Sequence, residues 1–340
     1  MNIFLNDYND LCHSKVLDAV SKIKISGNPG YGSDEYTKRA KELIKRDLQN
    51  DNVEIEFLSG GTISNIIAVS ANLLPYEGII SAKTGHISAH EAGSIEATGH
   101  RVELIESVDG KLSRELLLNK LKYLNEEYTI VPKLVYISQT TELGTVYTYE
   151  EIADIYETCL EHGMYLYIDG ARMANGLAAS DIEAYDLPDL CDIFTLGGTK
   201  NGAMFGEALV VVCDELKQNL RNFMRQRGSV IAKGFITGAQ FEALFEDGLY
   251  YKLGKISYDR AMYLSEELKK INVRFNQKPV SNQIFIELSN NKIEELKKNN
   301  MFEILPLDDE NKILRFVTSY NTSCSEIDNL ITDLKALEDF

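Results

Sequence analysis

Basic residues are what this 340-residue chain has too few of: 35 Lys plus Arg stand against 52 Asp plus Glu, a net charge of −17. A surface that acidic repels phosphate backbones and anionic lipids, so neither nucleic acid nor a membrane is an expected partner. Long apolar runs are missing too. The longest, such as residues 208–213, fall far short of the roughly 20 residues of a membrane-spanning helix. At the amino terminus no basic stretch precedes an apolar one, so no secretory signal is expected and the expected location is the cytoplasm. Cysteine is sparse. Cys12, Cys159, Cys191, Cys213 and Cys324 make no Cys-x-x-Cys and no Cys/His pair at zinc spacing, which predicts reduced thiols and no metal. Cys191 and Cys213 fall within expected buried strands, where a thiol serves as a small hydrophobe. The sequence contains neither a low-complexity stretch nor an internal repeat.

What is there is an ordinary globular composition, 44% hydrophobic and 26% charged, on a chain long enough for a large domain and a smaller companion. Between residues 34 and 213 apolar strand-like runs alternate with 3.6-residue helical spacing, the signature of a mostly parallel sheet covered by helices. Seven strands are expected, at 53–58, 78–82, 101–105, 133–138, 164–168, 191–196 and 208–213. Helices are expected at 62–74, stopped by Pro75, at 114–126, and at 149–161, ended by Gly163. Two or three helices then cover 214–271. A closing α+β unit follows, with strands at 273–275, 283–288, 303–306 and 312–317 and helices at 292–300 and 324–337. The fold class is therefore α/β, with a large domain over 26–250 and a small one built from 1–25 and 251–340.

Thirty-one positions separate Asp169, in Asp169-Gly170-Ala171-Arg172, from Lys200, in Gly197-Gly198-Thr199-Lys200. Each string follows an apolar run that reads as a buried strand. A carboxylate and an amine at the carboxyl ends of two strands of one α/β sheet point into the crevice where such folds bind ligands. Pyridoxal phosphate suits that pair: the amine forms a Schiff base with its aldehyde, and the carboxylate keeps its ring nitrogen protonated as an electron sink. Lysine is a useful nucleophile only when its pKa is depressed, which burial beside cationic or apolar neighbours achieves. Asp-Gly is also an ordinary turn. After Tyr165-Leu166-Tyr167-Ile168, however, a carboxylate ends a central strand and needs a partner. Arg172 is either that partner or a group that positions cofactor and substrate carboxylate. Ser59-Gly60-Gly61-Thr62, between a strand and a helix, has the form of a phosphate loop, although Gly-Gly-Thr alone also reads as a plain bend. Thr199 offers a second hydroxyl beside the lysine.

With His86, in Lys83-Thr84-Gly85-His86, and Arg315, in Arg315-Phe316-Val317-Thr318, at matching places, the chain resembles the threonine aldolases of the fold-type I pyridoxal-phosphate enzymes. It is most similar to their low-specificity L-threonine branch, and the likeness spans the whole chain. The resemblance implies a fold-type I architecture in which Lys200 carries the cofactor, Asp169 and Arg172 both join the site, and Gly60, Gly61 and Thr62 hold the phosphate. His86 is then stacked on the pyridine ring near the substrate hydroxyl, where imidazole serves as acid or base near neutral pH. Arg315 clamps the amino acid's carboxylate, a role that suits the guanidinium fork. Asn6-Asp7 stands where the family has Ser-Asp, which makes Asn6 a carboxylate contact. Tyr31-Gly32-Ser33-Asp34 is similar to a loop that reaches the neighbouring subunit's site and departs from the family's Tyr-Gly-Asp-Asp at Ser33. Glu142, in Gln139-Thr140-Thr141-Glu142-Leu143-Gly144, matches the low-specificity branch, and is either a carboxylate acting on the β-hydroxyl or a structural acceptor. Arg225 and Lys233 either bind phosphate across a subunit interface or are surface charges. His90 competes with His86 if that segment is helical; His13, His100 and His162 read as surface or loop.

The activity so implied is retro-aldol cleavage of L-threonine or L-allo-threonine to glycine and acetaldehyde. The implied partners are a small amino-acid substrate and copies of the chain itself, as a homodimer or homotetramer. Two rivals share the lysine, the aspartate and the phosphate loop. One is a β-eliminating lyase acting on aromatic or sulfur amino acids; the other is a non-catalytic protein that keeps the fold for binding or regulation.

Overall fold

A computed structural model describes residues 1–337 of the chain. One sheet holds β1 (Glu54–Leu58), β2 (Glu77–Ala82), β3 (Val102–Ile105), β4 (Val131–Ser138), β5 (Tyr165–Asp169), β6 (Ile193–Gly197) and β7 (Glu207–Val211). Their order is β1-β7-β6-β5-β4-β2-β3. β7 runs antiparallel to both neighbours and every other pairing is parallel. The expected mostly parallel sheet is present, each strand within two residues of its expected bounds. Alternation sends successive residues to opposite faces. Val135, Leu166, Phe194 and Val210 join one core, while their neighbours Leu134, Tyr167, Ile193 and Leu209 join the other. Because both faces are covered, β6 and β7 are buried throughout and read as continuous apolar runs. Cys191 and Cys213 do not lie inside strands as expected: buried Cys191 precedes β6, and partly exposed Cys213 follows β7.

The covering helices include α1 (Glu35–Leu48), α2 (Gly61–Ser70), α3 (Met173–Ala179), α4 (Phe235–Phe245) and α5 (Leu249–Lys270). α2 stops at Ser70 rather than at residue 74, and just beyond it the Asn72 side chain donates to the Leu216 carbonyl at 2.9 Å. The helix expected at 114–126 ends at Leu121, whereas Tyr149–Glu161 runs as expected behind a Thr148/Glu151 capping box. Four helices, not two or three, fill 214–271, because Asn219 adopts a left-handed φ of 56° and divides Asp214–Lys217 from Leu220–Gln226. No helix among the described residues is long and apolar enough to cross a membrane.

Beyond α5 lies a three-stranded antiparallel sheet of β8 (Gln283–Ser289), β9 (Glu303–Pro306) and β10 (Asn311–Val317), in the order β9-β10-β8. α6 (Cys324–Lys335) packs with it. The strand expected at 273–275 is reduced to one bridge between Phe275 and Ile286. Ala261, Leu264 and Leu268 of α5 join Ile286, Leu314, Phe316 and Ile331 in a separate small core. Leu249, Tyr250 and Leu253, at the other end of the same helix, belong to the large core, so α5 spans both. The amino-terminal segment divides as well. Phe4 is buried in the small core, whereas Val16 is buried in the large one.

Candidate active site

Because β7 alone is reversed, the other six strands end on the same side of the sheet, where ligands of such folds sit. Asp169 is the last residue of β5, and the turn after β6 carries Lys200. The two turns pack backbone against backbone. A Cβ on Gly170 would stand 1.9 Å from the Thr195 carbonyl oxygen, and one on Gly197 2.3 Å from that of Ala171. Gly60, Gly61, Thr62, Asn65, His86, Asp169, Thr199, Lys200 and Glu207 line one cavity of about 340 Å³, together with Tyr8 and Phe205. Larger clefts of about 650 and 800 Å³ lie elsewhere, and neither holds a lysine facing a strand-end aspartate.

Asp169 does not pair with Arg172, one of the two roles expected for that arginine. Its Oδ2 accepts from the Tyr136 hydroxyl at 2.6 Å and from Asn65 Nδ2 at 3.1 Å, and its Oδ1 accepts the Ala171 N–H at 3.0 Å. Arg172 instead forms a buried fork on Asp7, Nε to Oδ2 at 2.7 Å and NH2 to Oδ1 at 3.1 Å. Asn282 donates to the same carboxylate at 2.9 Å. Burial alone would raise the Asp7 carboxyl, but the Arg172 guanidinium and Lys200 hold it below its ordinary value. Lys200 is displaced downward, first by burial and next by the Arg172 charge, against the opposing pull of Asp7, Asp169 and Glu207. This is the environment that an amine nucleophile requires.

His86 caps the cavity with both ends tied. Its backbone N–H donates to Glu142 Oε1 at 2.9 Å, and its Nδ1 meets Glu91 Oε1 at 2.8 Å. Glu91 is buried and takes further donors from Asn65 at 2.6 Å and Ser94 at 2.6 Å. The Glu91 hydrogen bond raises the imidazole's pKa against the effect of burial, and Asp169 adds to the rise. Asn65 thus bridges two carboxylates, one behind His86 and one at the strand end. Glu142 is absent from the cavity wall. Its Oε1 also accepts from Ser138 Oγ at 2.8 Å, and burial raises its carboxyl. His90 is exposed, with its ring centroid 5.5 Å from that of His86, and His100, expected on the surface or in a loop, lies in a loop but is buried, with Nδ1 3.1 Å from the Glu77 carbonyl.

Arg315 points inward rather than to solvent: NH2 pairs with Glu303 across the β9–β10 ladder and NH1 donates to Gln283 Oε1 at 3.3 Å. Burial and the nearby Arg172 charge lower its pKa, so the two guanidiniums share one electrostatic neighbourhood. Asn6 Oδ1 accepts the Tyr8 N–H at 3.0 Å and shapes the turn that carries Tyr8 to the cavity. Thr199 lines the cavity, but its hydroxyl is engaged with Gly206, accepting the N–H at 3.0 Å. Tyr31, Arg225 and Lys233 do not line the cavity of their own chain. Tyr31 is exposed with the Arg225 guanidinium 4.3 Å above its ring, and Lys233 is exposed on the adjoining segment.

Asn65, Tyr136, Glu91 and Glu207 belong to this constellation and went unnoticed in the sequence. Asn65 gave a signal, a polar residue among Ile63, Ile66 and Ile67 just after Gly-Gly-Thr. Glu207 gave another, a charge opening the apolar run 208–213. Tyr136 is indistinguishable from a core aromatic by pattern alone.

The donor set fits pyridoxal phosphate. At Gly60 and Gly61 a Cβ would meet nothing within 4 Å, leaving an open cradle, and Gly60 makes no side-chain cap. The first N–H groups of α2 are free to bind an oxyanion there. Across the cavity stand the amine of Lys200 and the hydrogen-bonded carboxylate of Asp169. No cluster of His, Cys, Asp or Glu suited to a metal ion occurs among the described residues.

Residues 14–291 match the model of the beta-eliminating lyase family. The chain is similar to a solved threonine aldolase from Leishmania major, with 41% identity, 99% of each chain covered and a TM-score of 0.97. It is 27% identical to a low specificity L-threonine aldolase of a Pseudomonas strain over 98% of this chain and 96% of that one. A putative aromatic amino acid beta-eliminating lyase/threonine aldolase from Exiguobacterium, 17% identical with a TM-score of 0.76, covers 99% of this chain and 97% of its own, and shares the fold.

Proposed function

Because the chain belongs to the beta-eliminating lyase family, we propose that it is a pyridoxal-phosphate-dependent aldolase. It cleaves β-hydroxy-α-amino acids such as L-threonine and L-allo-threonine to glycine and an aldehyde. The observation that carries the reading is the single cavity uniting Lys200, Asp169, His86 and the open Gly60–Thr62 cradle in a chain alike over its full length to threonine aldolases. The rivals, elimination from aromatic or sulfur amino acids and a non-catalytic binding role, are not favoured by relatives of that kind.

Bound there, pyridoxal phosphate supplies an aldehyde for the substrate amine and a ring that accepts the electron pair of the breaking Cα–Cβ bond. Gly60, Gly61 and Thr62 hold the phosphate through backbone N–H groups and a hydroxyl. Asp169 keeps the proton on the ring nitrogen, and its own three donors hold it in place. Lys200, with its depressed pKa, would hold the cofactor through its side-chain amine. Arg315 and Asn6 bind the α-carboxylate, with Arg172 nearby holding Asp7 in place. His86 takes the β-hydroxyl proton on Nε2, the ring nitrogen left once Nδ1 is given to Glu91. Glu142 fixes the His86 backbone and acts through it.

We further propose a homo-oligomer, dimer or tetramer, in which Tyr31, Arg225 and Lys233 serve the neighbouring cavity. Exposed apolar side chains crowd the first 31 residues, Tyr8, Leu11, Leu17 and Ile25 among them, as an interface would require. The division into 26–250 and 1–25 with 251–340 is likewise our reading, supported by the small core that Phe4 shares with residues from Ala261 on, while Val16 and Leu253 pack in the large core; residues 338–340 lie outside those described. Five unpaired cysteines fit a reducing, cytoplasmic location.

A product assay tests the activity. The purified protein, loaded with cofactor, is expected to release acetaldehyde and glycine from threonine; pyruvate and ammonia from other amino acids, with no acetaldehyde, would refute it. Lys200→Ala is expected to lower kcat/KM by about a thousandfold or more and to leave the cofactor unfixed by borohydride.

A further inference from the structure

One cavity carboxylate has no part in these roles. Glu207 opens β7, where its Cα partners are Leu58, the last residue of β1, and Gly197, the last residue of β6. It therefore stands between the strand leading to Gly60-Gly61-Thr62 and the strand leading to Lys200, and it lines their common cavity. The residue is only 4% exposed. Its charge is poorly compensated. Asp169 takes three donors, Asp7 takes Arg172 and Asn282, and Glu91 takes His86, Asn65 and Ser94. Glu207 takes the Gly198 N–H at 3.1 Å and a hydrogen bond from the Thr199 hydroxyl, both neutral donors, and forms no salt bridge among the described residues. Burial pushes its carboxyl up to about 8, against the opposing pull of Thr199 and Lys200.

We propose that Glu207 is a proton-holding residue, which takes up one proton from solvent when an oxyanion is seated on the Gly60–Thr62 loop. The inference rests on the phosphate-loop reading given above. A carboxylate and an oxyanion lining one small, poorly solvated cavity repel each other. Adding a proton to a Glu207 oxygen converts it to a neutral acid and removes that repulsion, with no bond made to the anion. The titratable groups facing it are Lys200 from the turn after β6, Asp169 and Tyr167 from β5, and Tyr250 from α5. Lys200 is the rival proton acceptor, since an approaching anion also favours its charged form.

Sulfate is the probe, because it stays a dianion throughout the range and takes up no proton itself. Titrating it into the full-length, cofactor-stripped protein in two buffers of different ionisation heat counts the protons absorbed. Uptake is expected to be near zero at pH 6.5 and most of one proton at pH 8.5. Sulfate affinity should fall about tenfold between pH 7 and pH 9, as a binding-linked group titrating at about 8 requires. Glu207→Gln keeps an acceptor for the Gly198 N–H and should flatten that dependence to within about twofold, with no uptake at pH 8.5. A merely structural role would shift affinity equally at every pH. Undiminished uptake in Glu207→Gln assigns the proton to Lys200 and overturns the inference while the phosphate loop stands. Absence of uptake by the wild type at pH 8.5 overturns it without any variant. Failure of both proteins to bind sulfate overturns the phosphate-loop reading and the inference together.

Discussion

Asp7 and Arg172 meet as a bidentate pair whose side chains are 2% and 12% exposed. Removing one member of such a pair leaves the other charge buried and alone, so Asp7→Asn is expected to cost about 3–5 kcal/mol of stability at neutral pH. The Asp7 carboxyl lies below its ordinary value in the folded protein. Its contribution is therefore fully present above the usual carboxylate range and is lost as pH falls through the lower folded value. Denaturant unfolding of wild type and Asp7→Asn should show a gap that narrows on acidification below about pH 3.5; a gap that stays constant would contradict the assignment. Single residues were unevenly legible. Asp169 and Lys200 were readable because each follows an apolar strand, which fixes where its side chain goes. The partner of Arg172 was not, since Asp7 lies 165 positions away and nothing local links them. The same holds for Asn65, which reaches Asp169 across 104 positions.

At the scale of elements, the long helix α5 ties the site to the small core. Gly254 in it packs so close to α3 that a Cβ would stand 2.3 Å from the Ala174 carbonyl oxygen. Gly254→Ala is expected to destabilise by about 1–3 kcal/mol through overpacking. It should also weaken cofactor binding, because α3 directly follows the Asp169–Arg172 turn. Chemical denaturation and a cofactor titration measure the two effects, and unchanged values in both would contradict the close packing. Capping gives a smaller, cleaner case. Ser323 and Glu326 form a capping box at the start of α6, so Ser323→Ala should lower stability by about 1 kcal/mol without touching activity. Strand positions in the seven-stranded sheet were foreseen within two residues because a sheet covered on both faces needs largely apolar runs. Helix ends were foreseen less well. α2 stopped at Ser70, before the expected Pro75 boundary, and Asn219 inserted a left-handed break that no Gly or Pro announced.

For the whole molecule, cofactor binding and folding are linked. A ligand held only by the folded state stabilises it by about 2.7 kcal/mol at a hundredfold excess over its Kd. Thermal unfolding with and without pyridoxal phosphate should show that gain, reduced in Lys200→Ala; the same midpoint in both conditions would argue against the cavity as the binding place. By itself the sequence determined the alternation of strands and helices, the sides on which the strand ends carry chemistry, and the net negative charge of the chain. Those properties are written in local periodicity and composition. Tertiary structure alone decided which charges neutralise one another: Arg172 with Asp7, Arg315 with Glu303 and His86 with Glu91, while Glu207 forms no salt bridge among the described residues. Pairing energies depend on distance in space, and the sheet order that sets those distances brings together residues whose separation along the chain carries no signal.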